Sequence, residues 1–172
     1  TIWLELIDRY LISAQRNQLP AVICLNKTDL VHDEAGCQAA LQPYRELGYP
    51  IVLTSALTGQ GLDELRTVLH QRTTVLTGLS GVGKSSLLAA LLPGLQVRIG
   101  EVSESGGDGR HTTSQATLIR LASDGAIIDT PGIREFGLVG LHRRELEQFF
   151  PEIAGLSTGC RFKNCSHLAE PD

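Results

Sequence analysis

Gly78-Leu79-Ser80-Gly81-Val82-Gly83-Lys84-Ser85 is the stretch that decides the fold. It fits G-x-x-x-x-G-K-[ST], a phosphate-binding loop, and its flanks supply the context that such a loop needs. Thr74–Thr77 reads as a strand and Lys84–Leu91 as a helix. Glycines let successive backbone N–H groups turn inward around phosphate oxygens, helped by the helix N-terminus. Lys84 is placed to reach the β- and γ-phosphates, and the Ser85 hydroxyl to ligate Mg²⁺. Thr77 and Ser86 flank the run and belong to the same cradle. The bland alternative is a glycine-rich turn before an ordinary helix, but Gly-Lys-Ser-Ser at a strand–helix junction has no structural rationale of its own.

Outward from this loop the chain alternates. Trp3, Leu6, Ile7, Tyr10 and Leu11 recur at helical spacing. Ala21–Leu25 is a short, fully apolar strand of the kind that is buried in parallel sheets. A helix near Glu34–Leu47, a strand at Ile51–Thr54 and a helix at Gly61–Gln71 lead to the phosphate loop. Gln115–Leu121 and Ala126–Asp129 read as two further strands, and Arg143–Phe150 as a final helix. Alternation of this kind predicts an α/β fold with a doubly wound, mostly parallel sheet, in which ligands bind beyond the carboxyl ends of the strands.

Composition narrows the class of function. The 172 residues carry a net charge of −4 and 42% apolar residues, as a folded globular chain does. The charge is spread evenly along the chain, so there is no global basic field for nucleic acid and any RNA contact is local. No apolar run approaches the roughly 18 residues of a membrane span. Four cysteines beside a phosphate loop point to a reducing cytosol, with metal binding favoured over disulfides.

Asn26-Lys27-Thr28-Asp29 closes the strand at Leu25 and reads as the guanine motif N-K-x-D. A carboxylate at Asp29 can accept from the ring N1–H and the exocyclic amine of guanine. Adenine offers neither donor and would leave the carboxylate unpaired, which is how such a site discriminates. Asn26 is expected to tie this loop to the phosphate loop, and the Lys27 stem to cover the base. Taken alone the motif could be a helix cap; next to a phosphate loop that reading is weak. Thr54-Ser55-Ala56 resembles a second base-contacting loop, with Ser55 and Ala56 meeting the base through the main chain, although Leu57 stands where a lysine is usual.

Asp129-Thr130-Pro131-Gly132 follows the Ala126–Ile128 strand as the metal-side acidic loop, Asp129 holding Mg²⁺ through water and the Gly132 amide sensing the γ-phosphate. Ile133 occupies the position where Ras-like enzymes keep the glutamine that orients water, so slow hydrolysis is expected unless another group substitutes. The candidate lies in Gly106–Thr113. His111 can position water or relay a proton, and Arg110 can offset charge. Thr112 or Thr113 can complete the Mg²⁺ shell. Cys160, Cys165 and His167 form C-x₄-C-x-H, three of the four ligands a structural zinc requires.

In ordinary GTPases the phosphate loop precedes the base reader, and here the order is inverted. The succession N-K-T-D, S-A, G-x-S-G-V-G-K-S-S, G-R-H-T-T, D-T-P-G and C-x₄-C-x-H resembles that of the RsgA (YjeQ) family of circularly permuted GTPases over nearly the whole chain. The resemblance implies a cytoplasmic, monomeric GTPase that binds GTP and GDP with Mg²⁺ and assists late maturation of the small (30S) ribosomal subunit. Its partners would be that subunit and its rRNA, its turnover would be stimulated by the subunit, and it would have no membrane partner. It implies His111 as the catalytic group, with Ser85, Thr113 and Asp129 around Mg²⁺ and one zinc held by Cys160, Cys165, His167 and a further cysteine. The implied domains are a G domain over 1–140, short of its opening strand, and a zinc-binding segment from 141 to 172. A nucleotide-dependent ribosome or RNA adaptor with incidental hydrolysis is the rival expectation.

Overall fold

The computed structural model describes residues 2–92, 116–121, 124–130, 137–138, 140–142, 145–157 and 159–161. Helix α1 (Leu4–Arg16) buries Leu6, Leu11 and Ile12, while Trp3 caps its start and stays about half exposed. Strand β1 (Ile23–Leu25) leads to a 3₁₀ turn at Thr28–Leu30. Helix α2 (Glu34–Glu46) opens on Asp33, whose carboxylate accepts from the Gly36 N–H at 2.8 Å and satisfies a donor that the helix itself cannot. Strand β2 (Ile51–Leu53) and helix α3 (Leu62–Leu69) follow, then strand β3 (Thr73–Leu76) and helix α4 (Lys84–Leu91).

Strands β4 (Thr117–Arg120) and β5 (Ala126–Asp129) complete the sheets among the described residues. β1 and β2 pair in parallel, Cys24 opposite Val52. β5 lies between β3, to which it is parallel, and β4, to which it is antiparallel. Among the described residues the expected single, mostly parallel sheet is two sheets, with β1 paired only to β2 and β3 only to β5. Val75 on β3 remains 52% exposed.

The two sheets share one core. Val52 from the first and Ile127 from the second pack with Leu62, Leu65 and Leu69 of α3 and Leu87, Leu88 and Leu91 of α4. Leu88 has no exposed surface, and Val52 and Ile127 keep 1% each. A second cluster, Leu11, Ile23, Leu41 and Tyr44, fastens α1 and α2 to β1.

The final helix departs from expectation. A 3₁₀ turn at Glu147–Phe149 stands where Arg143–Phe150 was to be helical, and helix α5 runs over Pro151–Ser157. Proline lacks the N–H that a first helical turn leaves unused and its φ suits that position, so Pro151 starts the helix. Elsewhere boundaries shift by at most two residues; α4 and β5 fall where the sequence puts them.

Candidate functional site

The inverted motifs meet at the carboxyl ends of the strands. Asn26, just past β1, donates from Nδ2 to the Val82 carbonyl at 3.1 Å, and Lys27 donates from Nζ to the Gly81 carbonyl at 2.8 Å. Two residues of the base-reading motif thus clasp the middle of the phosphate loop. Gly83 permits the approach. Its φ is +92°, and a Cβ there would lie 2.5 Å from Asn26 Nδ2. The Asn26 side-chain oxygen accepts from the Thr54 hydroxyl at 3.3 Å and from the Ala56 N–H at 3.2 Å, binding in the second base loop as well. The Ala56 N–H, expected to face guanine, is thereby engaged with Asn26.

Asp29 lies on the exposed side of the 3₁₀ turn, and its carboxylate accepts a short hydrogen bond from the Ser55 hydroxyl. Ser55 and Thr54 are fully buried at the end of β2. One carboxylate oxygen is thus fixed by a rigid neighbour while the side chain stays accessible, as a base acceptor needs. Thr28 donates its N–H to the Thr54 carbonyl at 3.1 Å, and its hydroxyl proton is shared between that carbonyl at 3.0 Å and Gln60 Oε1 at 2.9 Å. In the sequence Thr54 reads only as the opening residue of the second base-contacting loop, with no bracing role, and Gln60 belongs to no motif read there.

On the phosphate side, Gly78–Gly83 links β3 to α4. Lys84 folds across this loop, its Nζ donating to the Gly78 and Leu79 carbonyls at 2.9 Å each. Burial lowers the pKa of Lys84, and the nearby Asp129 carboxylate pushes it back up. Asp129 is 5% exposed. Thr130 donates its hydroxyl to the Leu76 carbonyl at 2.9 Å, which fastens the start of the D-T-P-G segment to the end of the phosphate-loop strand. Ser85, at the start of α4, and Asp129 offer hydroxyl and carboxylate oxygens, a hard donor set that suits Mg²⁺.

His111, Thr113, Gly132, Cys165 and His167 lie outside the described residues. Of the proposed zinc ligands only Cys160 is described, as a half-buried cysteine outside any disulfide. Among the described residues no group of three or more His, Cys, Asp or Glu side chains is placed to hold a metal ion. Burial pushes the Cys24 thiol up, in keeping with a core cysteine. Among the described residues no helix is long and apolar enough to cross a membrane.

A sequence model of the RsgA GTPase family matches residues 1–139. The chain belongs to the RsgA GTPase family. Within that family it is 47% identical over 169 residues to the small ribosomal subunit biogenesis GTPase RsgA of Pseudomonas aeruginosa (strain LESB58), covering 97% of this chain and 50% of that protein. It is 48% identical over 168 residues to the protein of the same name from Moorella thermoacetica, covering 98% and 57%. Two solved structures are similar, each with a TM-score of 0.72. They are YjeQ from Thermotoga maritima, at 37% identity over 99% of this chain and 56% of that one, and YloQ, described as a circularly permuted GTPase, at 31% identity over 99% and 54%. The chain spans about half the length of the RsgA proteins it matches.

Proposed function

We propose that the protein carrying this chain is a GTPase that hydrolyses GTP to GDP and phosphate and assists late maturation of the small ribosomal subunit, which stimulates it. The carrying observation is the clasp between the two motifs. Asn26 and Lys27 hold the phosphate loop at Val82 and Gly81, so that Asp29 and the Gly78–Ser85 cradle serve one nucleotide. The names of the relatives support the ribosomal role.

In this reading Asp29 and the Ser55-Ala56 segment receive guanine, and Lys84 with the loop amides receives the phosphates. Ser85, Asp129 and Thr113 would hold Mg²⁺, which would offset the charge of the β- and γ-phosphates. Each side chain positions or stabilises charge, which is most of what phosphoryl transfer asks of a protein. Lys84 must leave the Gly78 and Leu79 carbonyls to meet phosphate, and the loop amides then take over the anion. Ile133 cannot orient water, so His111 takes that task, positioning water or relaying its proton. Cys160, Cys165 and His167 with one further cysteine would bind zinc in a segment that begins near residue 141.

The rival reading, a nucleotide-dependent ribosome or RNA adaptor, rests on Ile133. GTP turnover by the full-length protein, with and without small subunits, beside His111→Ala, separates the two. Stimulated turnover that His111→Ala abolishes supports the enzyme. Stimulated turnover untouched by the substitution removes His111 from its role, and the absence of any stimulation favours the adaptor.

A further inference from the structure

The loop that reads the base is held from several sides, and one of its anchors lies outside every nucleotide-binding motif. Asn26 is fixed by Thr54, Ala56 and the phosphate loop, and Asp29 by Ser55. Thr28, next to Asp29, leans on the Thr54 carbonyl and on Gln60, whose side-chain oxygen it meets at 2.9 Å across 32 residues of chain.

Gln60 is built as a strut. The Ser55 N–H donates to the Gln60 carbonyl at 3.0 Å and the Gly59 N–H to the Ser55 carbonyl at 2.9 Å, so the loop closes on itself above buried Ser55. Gly61 follows at φ +69°, where a Cβ would collide with the Leu53 carbonyl oxygen, so the chain beyond Gln60 is pressed against the end of β2. The fixed backbone holds the base of the Gln60 side chain in place beside Thr28. On the other side, Lys27 has a left-handed φ of 66° and opens the turn that presents Asp29. A non-glycine residue in that region costs free energy and persists only where its surroundings over-determine it. The Thr28 contacts are part of that determination.

We propose that Gln60 is a positioning residue for guanine recognition, holding Thr28 and thereby the direction of the Asp29 carboxylate. The proposal rests on the reading of Asp29 as the acceptor for guanine. Gln60 acts through Thr28 and is assigned no contact with the nucleotide.

The test compares GDP with inosine diphosphate, which lacks the exocyclic amine that one Asp29 oxygen accepts from. The ratio of the two dissociation constants reports the aim of Asp29, whereas a change in the phosphate site cancels. Calorimetry with Mg²⁺ on the full-length protein would use the parent, Gln60→Met, which keeps length and loses the hydrogen bond, and Gln60→Glu, which keeps an acceptor for the Thr28 hydroxyl. The preference for GDP over inosine diphosphate is expected to fall about threefold to tenfold in Gln60→Met, the scale of one lost hydrogen bond, and to hold in Gln60→Glu. Thr28→Val should reproduce the fall and Thr28→Ser should not, which keeps the test open if one variant folds poorly. Equal weakening of both ligands in Gln60→Met, or no change in either, overturns the strut while Asp29 keeps its role. A parent that prefers GDP neither to inosine diphosphate nor to ADP overturns the Asp29 reading, and the strut with it.

Discussion

Asn26 donates its side-chain N–H to the Val82 carbonyl at 3.1 Å, joining the base reader to the phosphate loop across 56 residues of chain. The contact explains how motifs in inverted order make one site: the clasp depends on where β1 and β3 end in space, and not on which comes first. Asn26→Ala removes this bond, takes the acceptor from the Ala56 N–H and leaves the Thr54 hydroxyl only the Leu25 carbonyl at 3.4 Å to donate to. We expect GDP affinity to weaken by about 1–3 kcal/mol, read by calorimetry with Mg²⁺. Affinity within twofold of the parent would mean that the clasp does not shape the bound state.

Gly83→Ala attacks the same contact from the other side. The new methyl group meets Asn26 Nδ2, and φ at +92° strains any residue with a Cβ. Nucleotide affinity should fall at least as far as in Asn26→Ala. The pair should be less than additive, because both changes break one contact. Full additivity in the double-mutant cycle would place the two effects in separate sites.

Leu88 has no exposed surface and stands in the cluster that joins the two sheets through α3 and α4. Leu88→Ala should lower stability by about 2–5 kcal/mol, from lost burial and the cavity left behind. Denaturant unfolding followed by circular dichroism checks this. A loss under about 1 kcal/mol would show that the sheets do not depend on a shared core.

The lowered pKa of Lys84 sets an alkaline pH dependence. Between that lowered value and the ordinary lysine range, the folded chain binds fewer protons than the unfolded one, so the contribution of this group to stability rises with pH across the window. Phosphate binding needs the ammonium, so GDP affinity should instead fall as pH rises through the same window, and binding there should take up a proton. Lys84→Arg keeps a charge that does not titrate. Calorimetry in buffers of different ionisation enthalpy should therefore find more proton uptake in the parent than in Lys84→Arg; equal uptake would remove Lys84 from the titration.

The motif cores were legible because each is short and strand-terminal. Lys84–Leu91 and Ala126–Asp129 were placed to the residue from apolar runs and glycine punctuation. The antiparallel β4 was not legible, since a strand pattern carries burial and no direction. The final helix was placed at Arg143–Phe150, whereas α5 starts at Pro151, a residue suited to the first helical position. Within the site, Asn26, Lys27 and Asp29 came from motif chemistry, whereas the bracing by Thr54 and Gln60 did not. Those two act through hydrogen bonds to residues 28 and 32 positions away, and nothing local in the sequence marks such pairs.

The most direct measurement concerns the base. Asp29→Asn replaces one acceptor oxygen with an N–H₂ donor, which fits the carbonyl of xanthine where guanine carries its amine. With Mg²⁺ present, the full-length parent should bind GDP at least about a hundredfold more tightly than ADP or xanthosine diphosphate, the discrimination that a buried polar mismatch supports. Asp29→Asn should lose GDP affinity and gain affinity for xanthosine diphosphate. A parent that binds ADP as well as GDP, with Asp29→Asn unchanged toward all three, would contradict the assembly of Asp29 and Gly78–Ser85 into one guanine-nucleotide site.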